Sequence, residues 1–499
     1  MQTLRAVLAL SMFLASPVIV SNGNPSYAQE PTVTLVNVIP RALSGESHQD
    51  SEPNLAVNPA NVNQLAASAF TSGVGFCGSG TAPIFISLNG GATWATSCII
   101  PNDVGGMPGD ITLRFTGIQG TLYAATLRNV GDLTLNILRT TDFTSPDPMA
   151  VLRSRENVDQ PYIHATNADA KDIILVGSND LNDSDAPGRT AVVDYSFKAN
   201  ETNPDFRTSR IEARPTSGQN GPPIRIAYHP AGVIYAAFYG WRSVDPQSTA
   251  SSIITADVVV VREDASTEVE KRFAALKEPD GSVGMRVVKG VKVPWNPNSQ
   301  TDFGNERFVG SNISIAVDPR PEMSNVVYLA WADRVGSNDY TVHVRRSINR
   351  GETWSSDLRT ITNGTNPALA ISNNGSIGFL YQRLVPAPNN QASRWETHLE
   401  ITTSEAAFSD KQDIVLANVS ANTPDPQFLP YIGDYIHLMA VGNDFYGVFS
   451  ANNFPNKDNF HKNIVFQRNV NWETKSLLRL DNTTQVAPSI DPFFFKVQP

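Results

Sequence analysis

The chain has 499 residues, a formal net charge of -10 and 41% hydrophobic residues, enough apolar content for a large core. Its Lys and Arg are spread rather than clustered, which excludes the basic stripe that nucleic-acid binding needs to neutralise phosphates. Abundant Gly, Pro, Asn and Asp fit many short strands joined by turns, and no stretch beyond the first residues is apolar enough to span a bilayer.

The N-terminus reads as a secretory signal. Arg5 precedes an apolar run over residues 6–20, and Ser26, Tyr27 and Ala28 form a small-residue cleavage site. Removal of residues 1–28 leaves 29–499 as a single secreted or periplasmic domain. Cys77 and Cys98 suit an oxidising compartment, either as one disulfide or as two separate thiols.

From there a two-strand phrase recurs seven times, starting at Asn54, Asp110, Pro161, Ile224, Ile313, Pro367 and Asp434. Each copy is a short apolar run, a polar or Gly/Pro turn, and an apolar-aromatic run. A third strand-like run follows each, at residues 84–87, 133–138, 191–196, 257–262, 341–345, 397–402 and 463–467. The pattern predicts an all-β fold, a seven-bladed β-propeller of four-stranded antiparallel blades, or six blades if one phrase is misjudged. A charged insertion over about residues 263–305 is expected as a long hairpin or loop on the fourth unit. Within it residues 266–276 are compatible with helix and 287–293 with strand. Ring closure is expected from residues 32–38 pairing beside 476–480, with the tail 490–496 packed underneath.

Two turns carry a family resemblance. Ser87-Leu88-Asn89-Gly90-Gly91-Ala92-Thr93-Trp94 and Ser347-Ile348-Asn349-Arg350-Gly351-Glu352-Thr353-Trp354 both read S-x-N-x-G-x-T-W. They resemble the Asp box, or bacterial neuraminidase repeat, of the sialidase superfamily, with Asn89 and Asn349 in place of the usual Asp. In such a turn Ser and Asn bind backbone, Gly turns left-handed and Trp wedges between strands. The box is structural in that family and implies a fold rather than an activity.

The chain enters each inner strand of a propeller from the face where ligands usually bind. Residues just before the seven phrases therefore ring the tunnel mouth: among them Asp50, Glu52, Asp110, Asp159, Tyr162, Arg225, Glu306, Arg307, Tyr431, Asp434 and Tyr435. A sialidase-like site needs arginines for a substrate carboxylate, a Tyr activated by a carboxylate, and an acid. The resemblance implies Arg225, Arg307 and Arg383 as the arginines, with Asp110, Asp159 and Asp434 lining the pocket. It implies Tyr431 or Tyr435 with Glu306 as the nucleophile pair and Asp50 as the acid. The family's F/Y-R-I-P signature is absent from the first unit; its nearest echo is Ile224-Arg225-Ile226-Ala227. A polysaccharide lyase would use Tyr and His, but His164 and His229 fall within inner strands.

No metal-ligand set stands out and no cofactor is expected. The acidic stretch from Asn179 to Gly188 raises calcium as a question, because its oxygen donors fall at alternate positions. Two readings follow: a monomeric sialidase-like glycosidase, or a non-catalytic propeller that binds a glycan or protein ligand.

Overall fold

A computed structural model describes residues 30–499 apart from 72–76, 79, 102–107, 118–119, 129–132, 183–187, 222–223, 247–251, 265–271, 296–311, 337–338, 387–392 and 425–431. The signal-peptide expectation lies outside the described residues. So does most of the stretch read as helix-compatible. Among the described residues no helix is long and apolar enough to cross a membrane.

Seven sheets form the ring, and six of them are antiparallel throughout. Their innermost strands are Asn54–Val57, Pro108–Phe115, Val158–Ala168, Arg225–His229, Ile313–Val317, Gly364–Ile371 and His437–Val441. Each of these lies against its neighbour in that order, and the last lies against the first, so the circle closes. We number the blades 1 to 7 in the same order. Blades 1 to 6 each follow the chain through four consecutive strands. The inner strands are short and mostly apolar because they crowd around the axis, and the second strand of each blade is buried on both faces.

Blade 4 is extended outward. Its third and fourth strands, Ser252–Glu263 and Met285–Trp295, are long, and residues 287–293 fall within the fourth.

Blade 7 corrects the expected closure. Its third strand is Ile490–Gln498, which pairs antiparallel with Asp444–Asn452 on one side and with Thr32–Asn37 on the other. The tail is thus a central strand, not a plug beneath the ring. Val465–Phe466, within the run read as a third strand, adds in parallel outside Thr32–Asn37. Ser476–Leu478 belongs to a separate small three-stranded sheet. Burial decides this order. Phe493, Phe494 and Phe495 are fully buried, whereas Val465 is 45% exposed, so the most apolar strand takes the doubly covered position. Phe493 and Phe495 face the core shared with blade 6, and Phe494 faces blade 1. Complete burial of each ring stabilises by about 1.5–3 kcal/mol.

Both S-x-N-x-G-x-T-W turns are built alike. The Gly91 and Gly351 amides donate to Ser87 and Ser347 Oγ at 3.0 and 2.8 Å. The Thr93 and Thr353 amides donate to the Asn89 and Asn349 Oδ1 at 2.9 Å each. Each Trp Nε1 donates to its own box's Gly carbonyl. Gly91 has φ +88°, and a Cβ there would stand 2.1 Å from Phe494, so glycine alone lets blade 7 seat against this turn. Trp94 packs edge-on to Phe494, with centroids 5.3 Å apart. Cys77 and Cys98 form a disulfide.

Candidate functional site

The mouth turns are held in unusual backbone. Glu52, Gln160 and Asn366, each just before or within the start of an inner strand, have φ of 55°, 57° and 52°. Strain of this kind persists where surrounding contacts over-determine it. Those contacts are visible. Asn366 Nδ2 donates to the Gly433 carbonyl at 3.1 Å, and Gln160 Nε2 donates to Asp434 Oδ2 at 3.4 Å. Gly433 presses so closely on Glu52 that a Cβ there would lie 2.5 Å from the Glu52 nitrogen. Blades 1, 3 and 6 together therefore fix the segment that carries Tyr435.

Tyr435 is the centre of a buried cluster. Its hydroxyl donates to Asp110 Oδ1 at 3.3 Å, and the Asp110 carboxyl is itself hydrogen-bonded to Glu52. Two carboxyl groups in such contact share a proton. Burial raises Asp110 above the ordinary aspartate range, opposed by its bonds to Glu52 and Tyr435 and by Arg225. Burial, with Asp110 and Glu52 nearby, likewise lifts the Tyr435 phenol well above its usual value. Asp159 is pushed up to about 7, first by burial and then by the Asp110 charge, while the Gln160 amide opposes this.

Two guanidiniums complete the cluster. Arg225 lies over the Tyr162 ring at 3.6 Å and reaches within 5.3 Å of the Tyr435 ring centre. Its buried Nη1 has no hydrogen-bond partner among the described residues. Arg114 is anchored by Asn54 Oδ1 at 3.2 Å and the Leu55 carbonyl at 3.1 Å, and its other nitrogen meets Tyr162 and His437. Burial holds both guanidiniums below their ordinary range, but arginine keeps its charge in proteins. His164 is pushed down to about 3 by burial and by Arg114, and His437 well below its usual value, so both rings are neutral. Arg114 and Arg225 thus stand at the carboxyl groups of the cluster, and the Nη1 of Arg225 is left to meet an anionic ligand.

Behind Arg114, Tyr162, His164 and Arg225 runs the central tunnel, a cavity of about 260 Å³. Its other walls are largely apolar, including Ala227, Ile315, Ala368 and Leu438.

Several expected residues meet here: Asp110, Asp159, Arg225, Asp434 and Tyr435. Others do not. Asp50 is fully buried with Glu46 and Asp491 in a separate carboxyl cluster, and the charged groups acting most on Tyr435 are Asp110, Glu52, Arg225 and Asp434. Arg383 stands directly across the strand from Glu396 and pairs with it at 2.7 Å, which turns its charge to the outer sheet. Tyr431, Glu306 and Arg307 lie outside the described residues. His229 accepts from the Ala231 amide at 3.0 Å and lies 3.2 Å from the Arg320 carbonyl, a structural role. In the acidic stretch, Asp180 faces Arg155 at 3.5 Å and Arg210 at 3.8 Å, while residues 183–187 lie outside the described residues. Sequence reasoning missed Arg114 and His437. The signal for Arg114 was a lone cation inside the apolar run Ile111-Thr112-Leu113-Arg114-Phe115.

No protein-family model matches the chain, and no curated protein matches it. Among solved structures it is similar to the GH93 α-L-arabinofuranosidase of Fusarium graminearum in complex with arabinobiose. That likeness has 9% identity and a TM-score of 0.43, over 70% of this chain and 92% of that one. It is also similar to the Trypanosoma rangeli sialidase in complex with the inhibitor DANA, at 12% identity and TM-score 0.36. There the match covers 93% of this chain and 59% of that one. A PL25 ulvan lyase bound to -[GlcA(1-4)Rha3S]- is similar at 11% identity and TM-score 0.36, over 74% and 79% of the two chains. At such identities and TM-scores these likenesses say nothing of activity, and the seven-bladed ring rests on the strand pairing itself.

Proposed function

We propose that the chain is an exported, sialidase-like propeller that hydrolyses an acidic glycoside at the Tyr435 cluster. The observation that carries this reading is the Tyr435–Asp110 contact beside Arg225, whose Nη1 lacks a partner among the described residues. A carboxylate on the sugar ring would take the fork of Arg225, with Arg114 adding charge from behind Tyr162.

In the first step Tyr435 Oη bonds to the anomeric carbon as the glycosidic C–O bond breaks. The phenol proton passes to the Asp110–Glu52 pair, and Asp159 protonates the departing oxygen. Water then bonds to the anomeric carbon as the bond from that carbon to Tyr435 Oη breaks; the water gives its proton to Asp159, and the released phenolate regains its proton from the carboxyl pair. The elevated Asp110 and the value of about 7 for Asp159 suit these duties, since a base must be basic and an acid must hold its proton near neutrality. A neutral phenol as nucleophile also avoids setting another anion beside the substrate carboxylate.

A second reading, a non-catalytic glycan-binding propeller, is favoured by the burial of Tyr435, only 2% exposed. A panel of fluorogenic sialoside, glucuronide and arabinofuranoside separates the two. Hydrolysis is supported by release from an acidic member and its loss, by about 100-fold or more, in Tyr435→Phe. Glycan binding without release, unaltered in Tyr435→Phe, establishes the binding reading instead. Export with cleavage after about Ala28 is tested by N-terminal sequencing of the secreted protein.

A further inference from the structure

We propose that Glu46, Asp50 and Asp491 hold one calcium ion, which staples blade 1 to blade 7. The three residues are buried, and one carboxyl oxygen of each lies within 4.8 Å of the others. Calcium binds oxygens at about 2.3–2.6 Å, so ligands on opposite sides of one ion stand ~4.6–5.2 Å apart. Magnesium demands a strict octahedron and keeps several of its waters, which a buried set of three carboxyl groups does not favour. With oxygen donors alone, the set selects a hard cation over zinc or copper.

Charge and solvation argue the same way. Arg468, fully buried, meets Asp491 at 2.9 Å and Glu46 at 3.6 Å. One guanidinium against three carboxylates leaves two negative charges in a region without solvent, which one divalent ion balances. Asp50 gives the independent observation: it has no exposed surface, and neither of its carboxyl oxygens has a hydrogen-bond partner of normal geometry among the described residues. Thr71, the side-chain donor beside Asp50, forms no hydrogen bond of normal geometry among the described residues, and Glu46 Oε2 reaches Arg468 only at 3.6 Å. A buried carboxylate with no partner is expensive, and a cation between these groups supplies the partner. Asp491 is held differently, by Asn37 at 2.7 Å, Asn453 at 2.7 Å and Ser489 at 3.2 Å, the kind of outer support that orients a ligand. Burial, reinforced by the neighbouring carboxyl groups, pushes Glu46 up to about 8 and Asp50 well above its ordinary value.

The position gives the ion a task. Glu46 and Asp50 lie on the segment entering blade 1, and Asp491 on the third strand of blade 7. The Asp50 amide already donates to the Ile490 carbonyl at 2.8 Å, and Arg468 donates to the Glu46 carbonyl at 2.6 Å. The two ends of the chain therefore meet around the carboxyl cluster, where an ion adds a lock to the ring. This does not depend on the glycan reading.

The test is elemental analysis of the full secreted protein, purified without chelator, with thermal unfolding before and after EDTA treatment. The expected result is about one calcium per chain, a lower unfolding temperature after EDTA, and recovery with calcium but less with magnesium. Asp50→Asn should weaken calcium binding, read by calorimetry on chelated protein, by about 100-fold or more. Metal-free protein whose unfolding is unmoved by EDTA or added calcium overturns the proposal, and so does preference for magnesium. Because metal content is read on the natural chain, a poorly folding Asp50 variant does not blunt the result.

Discussion

Replacing Asp159 by Asn should stabilise the protein and disable it, with a pH dependence that identifies the cause. The carboxyl has an ordinary value of 3.8 and is pushed up to about 7 in the fold by burial and the Asp110 charge. Below pH ~4 folded and unfolded chains both hold the proton, so the group exacts no penalty. Between about 4 and 7 the unfolded chain releases it while the folded one keeps it, and stability falls as pH rises. Above ~7 both are ionised and the full penalty remains, about 4 kcal/mol at ~1.36 kcal/mol per pH unit. Asparagine keeps an oxygen for the Gln160 amide, which donates to Asp159 Oδ1 at 2.8 Å, and never ionises. The variant should therefore gain about 1 kcal/mol near pH ~4.5 and about 4 kcal/mol near pH ~8, with solvent contact trimming both. Urea unfolding of both proteins at the two pH values reads the difference. Turnover should drop by about 10²–10⁴, since the acid is gone. A gain of equal size at both pH values, or a loss at pH ~8, refutes the assignment of the raised carboxyl.

Other perturbations reach other parts of the account. Arg225→Lys keeps the charge and loses the fork, so kcat/KM on an acidic glycoside should fall about 10- to 100-fold, while any activity on a neutral glycoside stays level. Phe494→Ala empties the contact between blade 7 and the Trp94 turn, and should cost about 3–5 kcal/mol in urea unfolding. A cost below about 1 kcal/mol would mean that this ring does not hold the closure. Opening the Cys77–Cys98 bridge, whose partners lie 21 residues apart, should cost about 3 kcal/mol on the loop-entropy model, seen as a lower unfolding temperature of the Cys77→Ser/Cys98→Ser double variant.

What the sequence made legible was local. The bonds that shape the first S-x-N-x-G-x-T-W turn, from the Gly91 and Thr93 amides and from Trp94 Nε1, all end on residues between Ser87 and Gly91, so a short stretch carries most of its geometry. The inner strands were legible because each repeats the same apolar-turn-apolar phrase. Strand order in blade 7 was not, because it depends on the pairing of Thr32–Asn37 with Ile490–Gln498 from opposite ends of the chain. At the site, Tyr435, Asp110 and Arg225 could be placed by their position beside the starts of inner strands. Arg114 could not, since its anchors Asn54 and Leu55 belong to another blade. Arg383, expected among the site arginines, has Glu396 set opposite it by the cross-strand register, which its own sequence neighbourhood does not reveal. The carboxyl cluster of Glu46, Asp50 and Asp491 has the same cause, as its members are joined only by ring closure.

The central claim is that Tyr435 becomes covalently joined to the sugar. Its most direct test is mass mapping of the protein after incubation with a fluorinated sialoside that forms a glycosyl-enzyme but hydrolyses slowly. The account predicts one added glycosyl group per chain, on the peptide that contains Tyr435 and absent from Tyr435→Phe. A label on Asp110, Glu52 or Asp159, or unlabelled protein that still cleaves the parent sialoside, would contradict it.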